Sequence, residues 1–244
     1  MRFNGVDPTT VHSAISISKE IPPGGPARDI ATIETANGEM VANVTTTQDE
    51  FVVRVNIAAK TYDEAMEARE KLAAWAASSG KQEAELEPTH MPGKAYSAIW
   101  KRTGRMEQRF GTVDVVFMLP KPVLHSKTQR TATNDGIGNS VTIEPYGTAP
   151  APFEIVQRLS EAAEGIALDL NGEVFATLTG AFAEGDRVTV NTETGEVLIN
   201  SYDAGSRLDF VNTNPDMEIA PGTIQSIASS AQGTIIVRWR DQWL

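Results

Sequence analysis

Alternating apolar and other residues run through most of this chain and predict β-strands. The clearest example is the segment 50–59, in which Phe51, Val53, Val55 and Ile57 occupy one face. Further strands are predicted at 11–17, 29–35, 83–88, 95–102 and 109–120. The first half of the chain is therefore expected to contain five or six strands.

One helix, at about residues 61–79, interrupts this β pattern. Thr61 and Glu64 have the spacing of a capping box, in which each side chain satisfies a free backbone N–H. Gly80 is expected to end the helix at the position directly after its C-cap. The apolar stripe of this helix consists of Ala65, Ala68, Leu72, Trp75 and Ala76.

Residues 120–150 lack periodicity and are rich in Pro, Thr, Gly and Asn. They are predicted as a linker or long arm, with room for a short strand at Val141–Glu144. From Phe153 onward, short strands return with frequent turns. Asn171 and Gly172 stand between two alternating runs, which is typical of a two-residue hairpin, and residues 186–200 repeat the pattern with a longer turn.

The expected fold is therefore mainly β, with two domains joined by the linker. The N-terminal domain, 1–124, is a β-sandwich-like domain with one α-helix. Residues 125–150 are the linker or arm, and 151–244 form a jelly-roll or sandwich domain, since many short strands with regular turns are typical of those folds.

Composition narrows the classes of function. The 244 residues carry a formal net charge of −11 and contain no cysteine, which excludes disulfides and thiolate metal sites. The acidic balance argues against binding to a nucleic-acid backbone as the main task. The longest apolar run, 113–120, is too short to span a membrane, and the N-terminus shows no secretory signal, so a soluble protein without membrane insertion is expected.

Candidate catalytic and metal-binding residues are few. His12, His90 and His125 are far apart and lack the short ligand spacing of a zinc site. No serine-hydrolase, phosphate-loop or dinucleotide-binding motif occurs. No catalytic residue, metal ligand or cofactor is therefore expected.

Paired carboxylates are the strongest enzymatic alternative. Glu83, Glu85 and Glu87 alternate along a predicted strand and would share one face, and Glu85 with Glu87 could serve as a glycosidase pair. Glycosidases usually draw their two carboxylates from different elements of a deep cleft. The favoured interpretation is therefore a solvated strand face.

Calcium binding is a second alternative. The segment 169–173, DLNGE, begins like an EF-hand loop, but its glycine is at the fourth position and no glutamate stands at the twelfth. Residues 191–196, NTETGE, also fail that spacing. Both are better explained as hairpin turns, while calcium bound through loop carbonyls stays open.

The C-terminal segment contains Arg238, Trp239, Arg240 and Trp243 within six residues. Three interpretations are open. The segment is a core strand with Trp239 inward and the arginines outward, or a protein interface, since Trp and Arg are enriched in hot spots, or a sugar-stacking surface.

Several motifs follow one another in order along the chain: the start FNG, then YGTAPAPFEI, NGEVFATLTGAFAEGDRVTVNTETGEVLIN, IAPGTIQSI and the closing IIVRWRDQWL. This series resembles that of the distal tail proteins (Dit) of long-tailed phages. Each motif alone is ordinary β-turn sequence, whereas their order and spacing are specific. Gln225 departs from the Asn often found in the family, and NSYDAG follows residue 199 where NG is expected.

The resemblance implies a virion structural protein at the distal end of the tail, assembled in the host cytoplasm. In the family, the N-terminal domain forms a hexameric ring and the C-terminal domain is galectin-like. The ring joins the tail tube to the tail-tip protein and, in many phages, to receptor-binding proteins, and DNA passes through its channel at ejection. The alternative function is a carbohydrate-binding adhesin acting through the C-terminal sandwich. Because the chain is acidic, we also hypothesise a negative channel along which DNA would slide.

Overall fold

The computed structural model describes residues 1–23, 28–35, 38–46, 49–104, 111–134, 138–209, 213–214 and 217–244, with the backbone alone for 28–35, 38–46 and 49. The chain divides into two compact units. The first comprises Met1–His125 together with Leu244, and the second comprises Ser126–Trp243.

The first unit is mainly β-sheet with one helix. Its strands are β1 (Arg2–Phe3), β2 (Ile15–Ile21), β3 (Arg28–Thr35), β4 (Gly38–Thr46), β5 (Asp49–Ile57), β6 (Ala84–Glu87), β7 (Lys94–Thr103), β8 (Thr112–Leu119) and β9 (Leu124–Ser126), and its helix is α1 (Tyr62–Ala76). One sheet has the order β1-β6-β7-β8-β5-β2, while β3 and β4 form a separate two-stranded antiparallel sheet. The prediction of a mainly β protein with one helix is confirmed.

Two predictions in this unit need correction. The strand expected at 11–17 begins at Ile15, because Pro8–Thr10 form a 3-10 helix and His12 Nδ1 accepts the Ala14 N–H at 3.1 Å. Strands β1, β4 and β9 are not among the predicted strands, so the described part of this unit contains nine strands where five or six are expected. The expected strand at 109–120 is observed from Thr112 onward, and its residues 109–110 lie outside the described residues.

Helix α1 begins as its sequence predicts but ends differently. The Thr61 hydroxyl accepts the Glu64 N–H at 3.2 Å, whereas the Glu64 carboxylate accepts the N–H of Lys60, at 2.7 Å, and not that of Thr61. The C-cap is Ala77, so Gly80 lies three residues beyond it. With φ of +64° and its N–H on the Ala77 carbonyl, Gly80 closes the turn that follows the helix.

Aromatic rings join the helix to its sheet. Phe117 of β8 packs against both Phe3 and Trp75, with ring centroids 4.6 and 5.9 Å away, and those two rings also contact each other at 6.1 Å. The Trp75 indole N–H, although the ring is buried, donates to the Val6 carbonyl at 2.9 Å. The stripe expected from the sequence is the buried face of the helix, since all five of its residues are buried.

The second unit is a β-sandwich. Its strands are β10 (Arg130–Thr133), β11 (Ser140–Ile143), β12 (Phe153–Leu159), β13 (Ala163–Leu170), β14 (Glu173–Phe182), β15 (Arg187–Asn191), β16 (Glu196–Ile199), β17 (Tyr202–Asp203), β18 (Gln225–Ser229), β19 (Gly233–Trp239) and β20 (Gln242–Trp243). One sheet runs β10-β19-β12-β15-β16-β17 and the other β11-β18-β13-β14. Both contribute to one apolar core, including Phe153, Ile155, Ile166, Leu168, Phe175, Leu178, Ile235 and Val237.

Residues 125–150 were predicted as a linker or arm, yet they contain strands of the sandwich. β10 pairs with β19 and β11 pairs with β18, both antiparallel. Each strand has only four residues, which is too short for a periodic pattern to stand out in the sequence. The stretch therefore belongs to the second unit as two of its edge strands.

Both predicted hairpins of this unit are confirmed. Asn171 and Gly172 have φ of +56° and +85° and connect β13 to β14 as a two-residue turn with the dihedral signs of type I′. The β15–β16 hairpin pairs Val188 with Ile199 and Val190 with Val197. The acidic stretch that contains it is thus two strands of the six-stranded sheet.

Candidate functional site

The C-terminal cluster has Trp239 at its centre. Its ring is 4% exposed, and its Nε1–H donates to Asp241 Oδ1 at 3.1 Å. The same oxygen accepts the backbone N–H of Tyr146 at 2.8 Å, and Asp241 Oδ2 is 3.5 Å from Arg130 Nη1. The interpretation of a core strand with Trp239 inward is therefore confirmed.

Arg130 connects this carboxylate to two rings. Its guanidinium carbon lies 4.3 Å from the Tyr146 ring centroid and 5.3 Å from that of Trp239, while Nη1 donates to the Glu144 carbonyl at 3.0 Å. Cation–π and charge-assisted contacts of this kind fix the side chains they join. Neither Arg130 nor Asp241 was singled out in the sequence, because their partners are far away along the chain.

The four residues predicted as an interface are divided between two faces. Arg238 alternates with Trp239, points away from the core and pairs with Glu154 at 2.9 Å. Arg240 is exposed and Trp243 is half-buried. The interface role of these residues stays a prediction, and the buried Trp239 supports the strand from within.

The acidic stretch holds a turn together. Asp186 accepts the Asn200 Nδ2–H and the Ala183 N–H, each at 2.8 Å. The hydrogen bond from Asn200, followed by that from Ala183, holds the pKa of the Asp186 carboxyl below its ordinary value, and the charge of Arg207 acts in the same direction. The remaining acidic residues, Glu184, Glu193 and Glu196, are exposed.

The three glutamates of the enzymatic alternative have separate partners. Glu83 accepts the Ser97 hydroxyl, and Glu87 accepts the Gly93 N–H at 3.0 Å. Glu85 lies 3.9 Å from His125 Nε2. A glycosidase pair needs two carboxyls that converge on one bond, whereas these contacts hold neighbouring strands and turns.

The histidines and the calcium-like turn also make local contacts. His90 Nδ1 lies 3.4 Å from Glu20, and in the 169–173 turn the Asp169 carboxylate accepts the Gly172 N–H at 3.0 Å. Among the described residues, no group of three or more His, Cys, Asp or Glu side chains could hold a metal ion. Within the same residues, no helix is both long and apolar enough to cross a membrane.

Aromatic rings of the second unit are mostly buried, as their strand positions predict. Phe153, Phe175 and Phe182 are at most 2% exposed. Tyr146 and Tyr202 are the exposed rings of this unit in the part that the structure describes, and Tyr146 is stacked on Arg130. Phe210 lies outside the described residues.

Comparison with known families decides what kind of protein this is. Residues 146–243, most of the second unit, match the SPP1_Dit family, described as a siphovirus-type tail component, C-terminal domain. Residues 146–243 form a Dit-family C-terminal domain. The resemblance recognised in the sequence is confirmed for these residues, which match a domain of a siphovirus-type tail component.

One solved structure has the same fold beyond the matched domain. The crystal structure of SPP1 Dit (gp 19.1), described as a paradigm of the hub adsorption apparatus in phages that infect Gram-positive bacteria, is 14% identical. The alignment covers 100% of this chain and 98% of the SPP1 Dit chain, with a TM-score of 0.80. Two phage p2 baseplate structures in the activated conformation, with Ca and with Sr, are each 7% identical and have TM-scores of 0.48 and 0.49. Each alignment covers 93% of this chain and 90% of the baseplate chain. No curated protein sequence matches the chain.

Proposed function

We propose that this protein is the distal tail hub of its phage. Six copies form a ring that joins the tail tube to the tail-tip protein and to receptor-binding proteins. The observation that carries the proposal is the likeness to SPP1 Dit over the full length of both chains, together with the family match of residues 146–243. A similar domain grafted onto an unrelated protein would match over one unit alone.

The first unit offers a surface suited to ring closure. Strands β3 and β4 pair with each other from Arg28↔Thr46 to Thr35↔Gly38 and, among the described strands, with no other. Such a hairpin leaves a row of backbone N–H and C=O groups free along each edge, which another chain can extend. A head-to-tail contact of this kind between neighbouring copies generates a closed ring.

Passage of DNA through the ring follows from the hub function, but the acidic-channel hypothesis loses its main support. Residues 1–125 carry 14 basic and 16 acidic side chains, a net charge of −2. Residues 126–243 carry 7 and 16, a net charge of −9. If the first unit lines the channel, most of the negative charge of the chain lies in the second unit and not on the channel wall.

The competing functions have little structural support. The carboxylates and histidines of the enzymatic alternatives make local contacts, and the family is one of structural tail components. A carbohydrate-binding adhesin would need an aromatic platform, and in the described part of the second unit only Tyr202 is an exposed ring that is not stacked on an arginine. A glycan array is the direct test of the adhesin.

Native mass spectrometry of the full chain, alone and with the tail-tube protein, tests the hub. We expect a hexamer, or two stacked hexamers, in at least one of the two samples. A chain that stays monomeric in both would overturn the proposal. A variant with the β3–β4 hairpin replaced by a short Gly-Ser turn, checked for folding by circular dichroism, is expected to remain monomeric. If it forms hexamers as readily as the wild type, the hairpin is not the ring contact.

A further inference from the structure

Two arginines lie directly opposite each other on the outer face of the six-stranded sheet. Arg158 of β12 is paired in register with Arg187 of β15. The neighbouring pair is hydrogen-bonded, since the Leu159 N–H donates to the Asp186 carbonyl at 3.0 Å. The two arginines therefore form a non-hydrogen-bonded pair, in which Cα atoms are about 4.5 Å apart and side chains are closest.

This pairing is unfavourable for the isolated domain. Like charges directly opposite each other on a sheet repel. Both side chains are exposed, and neither guanidinium has a hydrogen-bond or ion-pair partner among the described residues. By contrast, Arg130 pairs with Asp241, and Arg238 pairs with Glu154.

The charge of the surroundings makes the pair more unusual. The second unit has 16 acidic side chains available against 7 basic ones, yet no acidic residue pairs with Arg158 or Arg187 in the part described. The guanidinium group of an arginine is a planar fork of N–H donors that matches a carboxylate. The register thus places two such groups on adjacent strands with no counter-ion in the described part of the unit.

An apolar row runs beside the pair on the same face. Val156, two residues from Arg158 along β12, is itself buried and pairs with Ile236 on one side and Thr189 on the other. The half-buried Ile236 and Leu198, the latter on β16, are the apolar side chains of this row that a partner can reach. Beyond this row, Glu154 neutralises the charge of Arg238 in an ion pair. The face thus offers two free positive charges at one end and apolar contacts next to them.

We propose that this face, named the Arg158–Arg187 face, docks an acidic segment of another protein of the tail. A glutamate or aspartate carboxylate of that segment lies between the two arginines, and its apolar side chains pack on the neighbouring apolar row. A protein segment suits the surface better than a sugar, because no aromatic residue belongs to the described outward positions of these strands. The proposal rests on the tail-hub function only for placing the partner in the tail.

The test uses the full chain and a fluorescein-labelled peptide of three Glu-Leu repeats, followed by fluorescence anisotropy at low salt. The double variant Arg158→Gln/Arg187→Gln is expected to bind at least tenfold more weakly than the wild type. The matched control Lys60→Gln/Lys81→Gln removes two exposed positive charges from the first unit and is expected to bind as the wild type does. A Gln-Leu peptide is expected to bind at least tenfold more weakly than the Glu-Leu peptide.

Equal affinity of both double variants for the Glu-Leu peptide would overturn the proposal. So would an anionic polysaccharide, such as hyaluronan, that binds through the two arginines while the peptide does not. A second measurement concerns the free protein: relief of repulsion should raise the melting temperature of Arg187→Gln at low salt, and a lower one would show a structural role instead. Native mass spectrometry of the variants separates the two proposals, since a lost hexamer concerns the hub and lost peptide binding concerns this face.

Discussion

The indole N–H of Trp239 donates to the carboxylate of Asp241, two residues further along the chain, at 3.1 Å. That carboxylate also accepts the Tyr146 N–H and lies beside Arg130, although Asp241 is only 6% exposed. A buried carboxylate is stable when donors surround it in this way. The short segment after β19 is thereby attached to residues about a hundred positions earlier.

Removing this carboxylate should destabilise the second unit. We expect Asp241→Ala to lower the free energy of unfolding by about 3 kcal/mol, because it leaves the Trp239 and Tyr146 N–H groups unsatisfied and Arg130 without its ion pair. Urea unfolding measures the loss. Glu196→Ala, at an exposed position, serves as the control, and equal losses for the two variants would contradict the assigned role.

Two glycines with positive φ should differ sharply in their tolerance of alanine. A Cβ at Gly147 would lie 2.1 Å from the Gln242 carbonyl oxygen, whereas at Gly172 no atom lies within 4 Å. Gly172→Ala should cost about 1 kcal/mol, the strain of its φ of +85° alone. Gly147→Ala adds a clash with backbone and should cost about 3 kcal/mol or more. Similar melting temperatures for the two variants would refute the clash.

The N-cap of helix α1 should contribute to the stability of the first unit. Thr61→Ala removes the hydroxyl that accepts the Glu64 N–H and is expected to cost about 1 kcal/mol. Glu67→Gln, which removes the exposed ion pair with Lys71, should leave the stability unchanged within error. Thermal unfolding, followed by circular dichroism at about 222 nm, where helices absorb, compares the melting temperatures of both variants with that of the wild type. A larger loss for Glu67→Gln than for Thr61→Ala would show that the cap is not the main determinant.

Stability should fall at acidic pH through Glu20. Burial raises the pKa of this carboxyl, but the hydrogen bonds from the Thr89 hydroxyl and N–H outweigh it and leave the pKa below the ordinary value of 4.5. Because the pKa of Glu20 is lower in the folded than in the unfolded protein, the ionised carboxylate stabilises the fold above pH 4.5. This contribution is lost as the pH falls through the folded-state pKa.

Melting temperatures from about pH 7 to about pH 3 measure this effect. The wild type should exceed Glu20→Gln by the widest margin above pH 4.5, and the margin should shrink at lower pH. A margin that is constant across the range would mean that the charge of Glu20 makes no difference.

Local elements were predictable because their causes are close together in the sequence. The Asn171-Gly172 turn, the Thr61 cap and the alternation in β5 each depend on residues within one turn or one strand. The failures have the opposite character. The short strand β10 is stabilised by pairing with β19, about 105 residues away, and its four residues carry too weak a pattern of their own. Strand β11 lies close to the short strand allowed at Val141–Glu144, and its pairing with β18 could not be predicted.

The candidate site shows the same division. Of the three interpretations of the Trp239 segment, the core strand is confirmed, and the motifs within residues 146–243 are confirmed as those of a tail component. The sequence singled out neither Asp241, the partner of that indole, nor the pairing of Arg158 with Arg187. Each of these contacts depends on strand register.

By itself, then, the sequence determined the mainly β character, the helix start, the tight turns and the family of residues 146–243, because these follow from local spacing and from the order of motifs. Tertiary structure alone decided that residues 126–150 belong to the sandwich, that Asp241 lies among three donors and that Arg158 and Arg187 lie side by side. The physical reason is that register in a sheet is set by the whole buried face, so a charge and its neighbour are specified by core residues distant from both.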